Sequence, residues 1–243
     1  MIFGFTRQQA LLIMLLFLLG LADSALSNDT DYDIIIRQGL VVDGSGQPGR
    51  LADLGIRSDR IAAIGDLSEA RAEQEVNARG QVVAPGFINM LSWAVRSLME
   101  DGRGLSDNQQ GVTLEVFGEG WSMGPLADTP ETKIMLKRFL LDQADAVQRT
   151  TLGEYLEYLE KKRVSPNIAS FVGATSLRIH EIGFDDRPPT SAELENMKTL
   201  TRQAMEEGAM GLGSSLIYPP AFFASTEELI ELAKVVGEYD GMY

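Results

Sequence analysis

The sequence predicts an α/β protein: a small sheet, then about four βα units of an incomplete (β/α)8 TIM-type barrel. Three observations carry that expectation. Before Pro85 the apolar residues fall in short β-branched runs separated by turn residues, whereas after it unbroken apolar strands alternate with amphipathic helical stretches. At 243 residues and 44% hydrophobic content the chain can build a sizeable core. The two regimes meet in residues 81–93, QVVAPGFINMLSW, where Pro85-Gly86 turns the backbone between two apolar runs.

At the N-terminus Arg7 precedes the apolar run 10–22, ALLIMLLFLLGLA. It is shorter than the roughly 20 residues needed to cross a bilayer core. With the small-residue exit Ala22-Asp23-Ser24 it is expected to be a signal peptide over residues 1–24, and the protein to be exported, periplasmic or secreted. A membrane is then a partner only through that segment, if it stays uncleaved. The net charge of −14 disfavours phosphate backbones, so no nucleic-acid partner is expected. The chain has no cysteine and one histidine, His180, which excludes disulfides and thiolate ligands and restricts imidazole chemistry.

Residues 32–45, YDIIIRQGLVVDGS, carry two β-branched runs around Gln38-Gly39. A turn over 43–49 leads to strands at 51–56 and 60–64, joined at hairpin length by residues 57–59. Residues 76–83 would add to what is expected to be a small antiparallel sheet. Such a sheet buries one face and is marginal alone.

Beyond Pro85, strands are expected at 87–91, 112–117, 168–172 and 210–214, with a fifth starting at Met242. Between them, 134–146, 152–163 and 191–205 have helical spacing, and Leu152, Tyr155, Leu156 and Leu159 share one face. Ser225 with Glu228 three residues on predicts a capping box that opens a helix to Glu238. A closed barrel needs eight strands and about 250 residues of its own. This chain is therefore expected to be a piece of one.

Several chemistries find no support. Gly213-Ser214-Ser215 lacks the second glycine of a nucleophile elbow, and the glycine-rich segments lack the lysine and spacing of a phosphate loop. His180, in the polar stretch RIHEIG, is more simply a surface or capping residue than a ligand.

The order of motifs resembles the amidohydrolase superfamily, and within it the N-acyl-D-amino-acid deacylase (D-aminoacylase) family. The carriers are DIIIRQGLVVDGSG, VVAPGFIN, QGVTLEVFGEG over 110–120 and GLGSSLIYPPAFFASTEELIELAK over 211–234. The resemblance implies that residues 32–84 are part of a composite β-sandwich and 85–243 the first half of a metal-dependent barrel. It also implies hydrolysis of linear amides of N-acylated amino acids, with one zinc ion in the full-length protein and catalytic residues beyond Tyr243. The chain by itself is expected to be inactive.

In that superfamily the run after Pro-Gly-Phe-Ile is Asp-x-His-x-His, whose alternate imidazoles leave one face of a strand and can share a metal. Here Asn89, Leu91 and Trp93 hold those positions, and neither Leu91 nor Trp93 can ligate zinc. They would pack the barrel end or shape an apolar pocket. The family's second motif ends in Gly-Asn-Cys-Gly; this chain has Gly118-Glu119-Gly120-Trp121. Glu119 is the one metal-ligand candidate, with a solvated loop acid as its plain alternative. Tyr218, in SSLIYPP, is the substrate-binding candidate, or else packs on the proline pair. The missing histidines also motivate a second reading, a non-catalytic homologue that keeps the fold to bind a ligand.

Overall fold

The computed structural model describes residues 30–140 and 151–243, which fall into two compact units, one up to Pro85 and one from Gly86. The signal peptide expected over 1–24 and the end of the helix expected over 134–146 lie outside the described residues. No helix among the described residues is long and apolar enough to cross a membrane.

The first unit is one five-stranded sheet: β1 (Tyr32–Val41), β2 (Arg50–Arg57), β3 (Arg60–Gly65), β4 (Ala72–Asn77) and β5 (Val82–Val83), ordered β3-β2-β1-β4 with β5 also on β1. It is mixed, which corrects the antiparallel expectation. β1 pairs antiparallel with β2 but parallel with both β4 and β5. The strands expected over 76–83 are β4, which starts earlier, at Ala72, and β5. Ala78 donates to the Arg37 carbonyl at 2.8 Å and Gln81 to the Ala78 carbonyl at 2.9 Å, and this turn hands the edge of β1 from β4 to β5.

A bulge in β1 fixes the register. Gln38 sits at φ 59° and donates its N–H to Asp53 Oδ1 at 2.8 Å. Asp53 is buried on β2 and also accepts from the Leu67 N–H at 3.3 Å. Arg37 bonds Glu75 at 2.5 Å and the carbonyls of Leu67 and Ala70 at 2.6 and 2.9 Å. The guanidinium thus ties the 66–71 connection to the sheet with charge-assisted bonds.

The second unit begins with β6 (Phe87–Asn89), α1 (Val95–Glu100), α2 (Leu105–Asn108) and β7 (Val112–Phe117), and continues through α3 (Pro130–Leu140) and α4 (Leu152–Lys162). Then come β8 (Asn167–Ser170), β9 (Val172–Gly173), α5 (Ala174–Glu181), α6 (Ser191–Glu206), β10 (Leu212–Gly213), a 3-10 turn (Ala221–Phe223) and α7 (Thr226–Gly237).

Its strands lie parallel and in chain order. β6, β7 and β8 are neighbours, β9 pairs with β10, and Gly211 bridges to Met242 at the start of the expected fifth strand. Among the described residues the array is open and no closed barrel forms. The strand expected over 168–172 is broken at Phe171, whose N–H bonds the Phe117 carbonyl while that of Val172 turns to Gly211 on the other side. The segment after it, unassigned from sequence, is helix α5.

Two apolar clusters hold the layers together. One joins Leu98 and Met99 of α1, Phe117 of β7, Leu136 of α3 and Tyr155 and Leu159 of α4. The other joins Val172 and Leu212 of the sheet to Leu177, Met197 and Leu232 of α5, α6 and α7. The predicted face of α4 is the buried one. Thr151 caps that helix through a complete box with Glu154, and Thr190 caps α6 in the same way with Glu193.

Candidate functional site

β7 ends where its last glycines force the chain to turn. Gly118 has φ +90°, open mainly to glycine, and a Cβ there would run into the Phe171 carbonyl. At Gly120 a Cβ would lie 2.6 Å from the Ser215 Cβ. The loop is pinned on its other side as well. Thr175 N–H donates to the Gly120 carbonyl at 2.8 Å, and Ser122 Oγ accepts from Gly173 N–H at 2.9 Å while donating to the Gly124 carbonyl. Glu119 is therefore held on a rigid, closely packed turn with its side chain exposed.

That turn borders a cavity of about 580 Å³. Glu119 and Tyr218, singled out from separate stretches, both line it. So does Trp93, at the last position of the altered metal motif, with Trp121 and Phe184 completing an aromatic wall. Ile134 of α3, Ile179 of α5 and the Pro219-Pro220 pair add aliphatic surface, while Thr175 and Ser215 add hydroxyls. Trp93 is 59% and Tyr218 68% exposed, so both rings present accessible faces. Of the two roles expected for Leu91 and Trp93, pocket lining holds for Trp93; Leu91 is exposed.

The first strand is shorter than expected, and this decides where those side chains go. Asn89 Oδ1 accepts from the Leu91 N–H at 3.3 Å, an Asx turn that ends β6 at Asn89. The period-two projection of 89, 91 and 93 from one strand face is lost.

His180 lies on α5 with Nδ1 2.8 Å from Glu181 Oε1 and does not line the cavity. The residue that sequence reading missed is Glu115. It is 1% exposed, and neither carboxyl oxygen has a hydrogen-bond partner of ordinary geometry. Burial pushes its carboxyl up from the usual range and the nearby Asp107 adds to the rise, against Ser92 and Asn89, which oppose it. An acid inside the apolar strand VTLEVF was the available signal.

A zinc site needs three or four nitrogen, sulfur or oxygen ligands around one point. Among the described residues no three His, Cys, Asp or Glu side chains gather in that way. With Leu91 and Trp93 in place of imidazoles and Glu119 as a lone carboxylate, these residues do not by themselves fit the ion. What they form is an aromatic and aliphatic cavity with one acid at its edge.

No family model matches the chain. A D-aminoacylase from Alcaligenes xylosoxydans xylosoxydans is 37% identical over 219 residues, 89% of this chain and 44% of that protein. The crystal structure of a D-aminoacylase described as defining a novel subset of amidohydrolases superposes with a TM-score of 0.78 at 36% identity, covering 86% of this chain and 44% of the other. An N-acyl-D-glutamate deacylase from Bordetella bronchiseptica, complexed with zinc and a phosphonate mimic of the reaction's tetrahedral intermediate, gives 0.74 at 33% identity, covering 85% and 43%. The chain thus spans less than half the length of the relatives it matches.

Proposed function

The chain belongs to the D-aminoacylase family of amidohydrolases, matching its N-terminal part, and from that footing we propose that the whole protein hydrolyses the linear carbon–nitrogen bond of an N-acylated D-amino acid or related amide. The observation that supports this reading is the convergence of Glu119 and Tyr218 on one cavity at the C-terminal end of β7, where parallel α/β folds place their chemistry. This chain's part is to bind and orient. The aromatic wall buries the apolar portion of the ligand, and the rigid 118–124 turn fixes the mouth.

Zinc dependence, with one ion per protein, belongs to the same proposal. It is supported by the zinc in the Bordetella relative, with Glu119 as the candidate ligand among the described residues. Export across a membrane, and completion of the parallel array into a full barrel with the first sheet as part of a β-sandwich, are proposed alongside.

A second reading is a ligand-binding homologue without catalysis, favoured by one specific observation: Trp93 occupies the cavity from the position where a ligating imidazole would stand. One experiment separates the two. The whole protein is incubated with a panel of N-acetyl-D-amino acids, and amine release is followed with and without a chelator. Release abolished by chelator and restored by zinc is the expected result. Retention of those compounds without turnover, in protein carrying no zinc, would establish the binding reading.

A further inference from the structure

We propose that the Glu115 carboxylate of β7, with Asp107 of α2, Asn89 of β6 and Ser92, binds a hard divalent cation of the calcium type. Glu115 is 1% exposed and neither of its oxygens has a hydrogen-bond partner. Burying a carboxylate in that state is costly, and folded proteins keep such a group where an ion or a function compensates. The polar side chains that act on the Glu115 carboxyl are those of Ser92, Asp107 and Asn89, with no lysine, arginine or histidine among them. On the β8 side its neighbour in register is Ile168, which packs against the first apolar cluster and offers no charge.

The fold sets these oxygens in place. Asn89 stands directly beside Glu115 in the β6–β7 register, and the Ser92 N–H bonds the Val116 carbonyl at 2.9 Å. Asn89 Oδ1 and Ser92 Oγ each accept one backbone N–H, from Leu91 at 3.3 Å and Ala94 at 3.2 Å, which orients them and leaves each a second lone pair. Asp107 brings a second negative charge, and two carboxylates repel unless a proton or a cation lies between them. A proton serves the acids alone, whereas a cation with oxygens at about 2.3–2.6 Å engages the amide and hydroxyl as well. Asp107 is half-buried, so water completes the shell from its side. The set contains neither imidazole nor thiolate, which suits calcium rather than zinc. None of the four residues lines the Glu119 cavity, and the inference is independent of the amide-hydrolase reading.

The full chain is stripped with chelator and dialysed, and its thermal unfolding is followed as calcium chloride is added, with sodium chloride at matched ionic strength as the blank. About 10 mM calcium should raise the midpoint by about 3–5 °C, with half the effect at roughly 0.1–1 mM. Glu115→Gln and Asp107→Asn should each need at least about tenfold more calcium for the same shift, whereas Glu119→Gln should respond as the parent does. Without calcium, Glu115→Gln should be more stable than the parent, because glutamine removes the same desolvated charge, and saturating calcium should narrow that gap. No shift in the parent, which would leave a shared proton between the acids, overturns the proposal. So does a shift matched by sodium chloride, or one kept in full by both Glu115→Gln and Asp107→Asn, which would put the calcium elsewhere on the acidic surface. Loss of the shift in Glu119→Gln alone would move the ion to the cavity and equally overturn it.

Discussion

Arg178 on α5 and Glu228 on α7 form a buried ion pair at 2.6 Å, with side chains 1% and 2% exposed. Arg178 also donates to the carbonyls of Asp185 and Arg187, so one guanidinium joins two helices and the loop between α5 and α6. Removing one partner leaves a charge in the interior. Arg178→Met is expected to cost about 3–5 kcal/mol in urea unfolding, and the double variant Arg178→Met/Glu228→Leu to recover a good part of that loss. A single-variant loss within about 0.5 kcal/mol of zero would show that water reaches the pair.

Arg187 holds the Glu193 carboxyl down to about 2, from an ordinary 4.5, with the Thr190 N–H adding to the effect. A lowered carboxylate stabilises the fold above its unfolded pKa and loses that contribution as pH falls through the window from 4.5 to about 2. Acid denaturation of Glu193→Gln should therefore be less steep in that window than in the parent. Superimposable acid limbs would rule the pair out as a contributor.

Glu115 has the opposite sign. Its raised pKa means the folded state holds the proton more tightly, so its contribution falls as pH rises above 4.5. Glu115→Gln should raise stability at neutral pH by roughly 1–3 kcal/mol, as expected when a desolvated acid without a good partner is neutralised. Urea midpoints of both proteins at acidic and neutral pH test this. The gain should shrink at the acid end.

Gly118→Ala places a Cβ against the Phe171 carbonyl at a φ of +90°. A loss above about 1 kcal/mol is expected. Gly237→Ala, at the end of α7 with nothing near its would-be Cβ, is the matched control and should change stability little.

If the whole protein hydrolyses an amide as proposed, Tyr218→Ala is expected to lower kcat/KM about tenfold, mostly through KM, because the ring lines the cavity. Steady-state kinetics on the best amide of the panel decides the split. A fall confined to kcat would move Tyr218 into the chemical step.

By itself the sequence determined what local patterning controls. The change of regime at Pro85-Gly86, the parallel strands between amphipathic helices and the buried face of α4 follow from short-range spacing, and the resemblance to the family follows from long specific motifs. Glu119 and Tyr218 could be picked out because each stands in a motif of the family that the chain resembles.

Only the tertiary structure could decide what depends on distant partners. Ser225 caps α7 as expected, its Oγ accepting from the Glu228 N–H at 3.1 Å, but the Glu228 side chain that should close the box is drawn instead to Arg178, fifty residues away. The edge of β1 is shared between β4 and β5 because Arg37 and Asp53 organise the turns around it. In each case a side chain with several possible partners takes the one that the packed fold brings closest, and local sequence does not contain that choice.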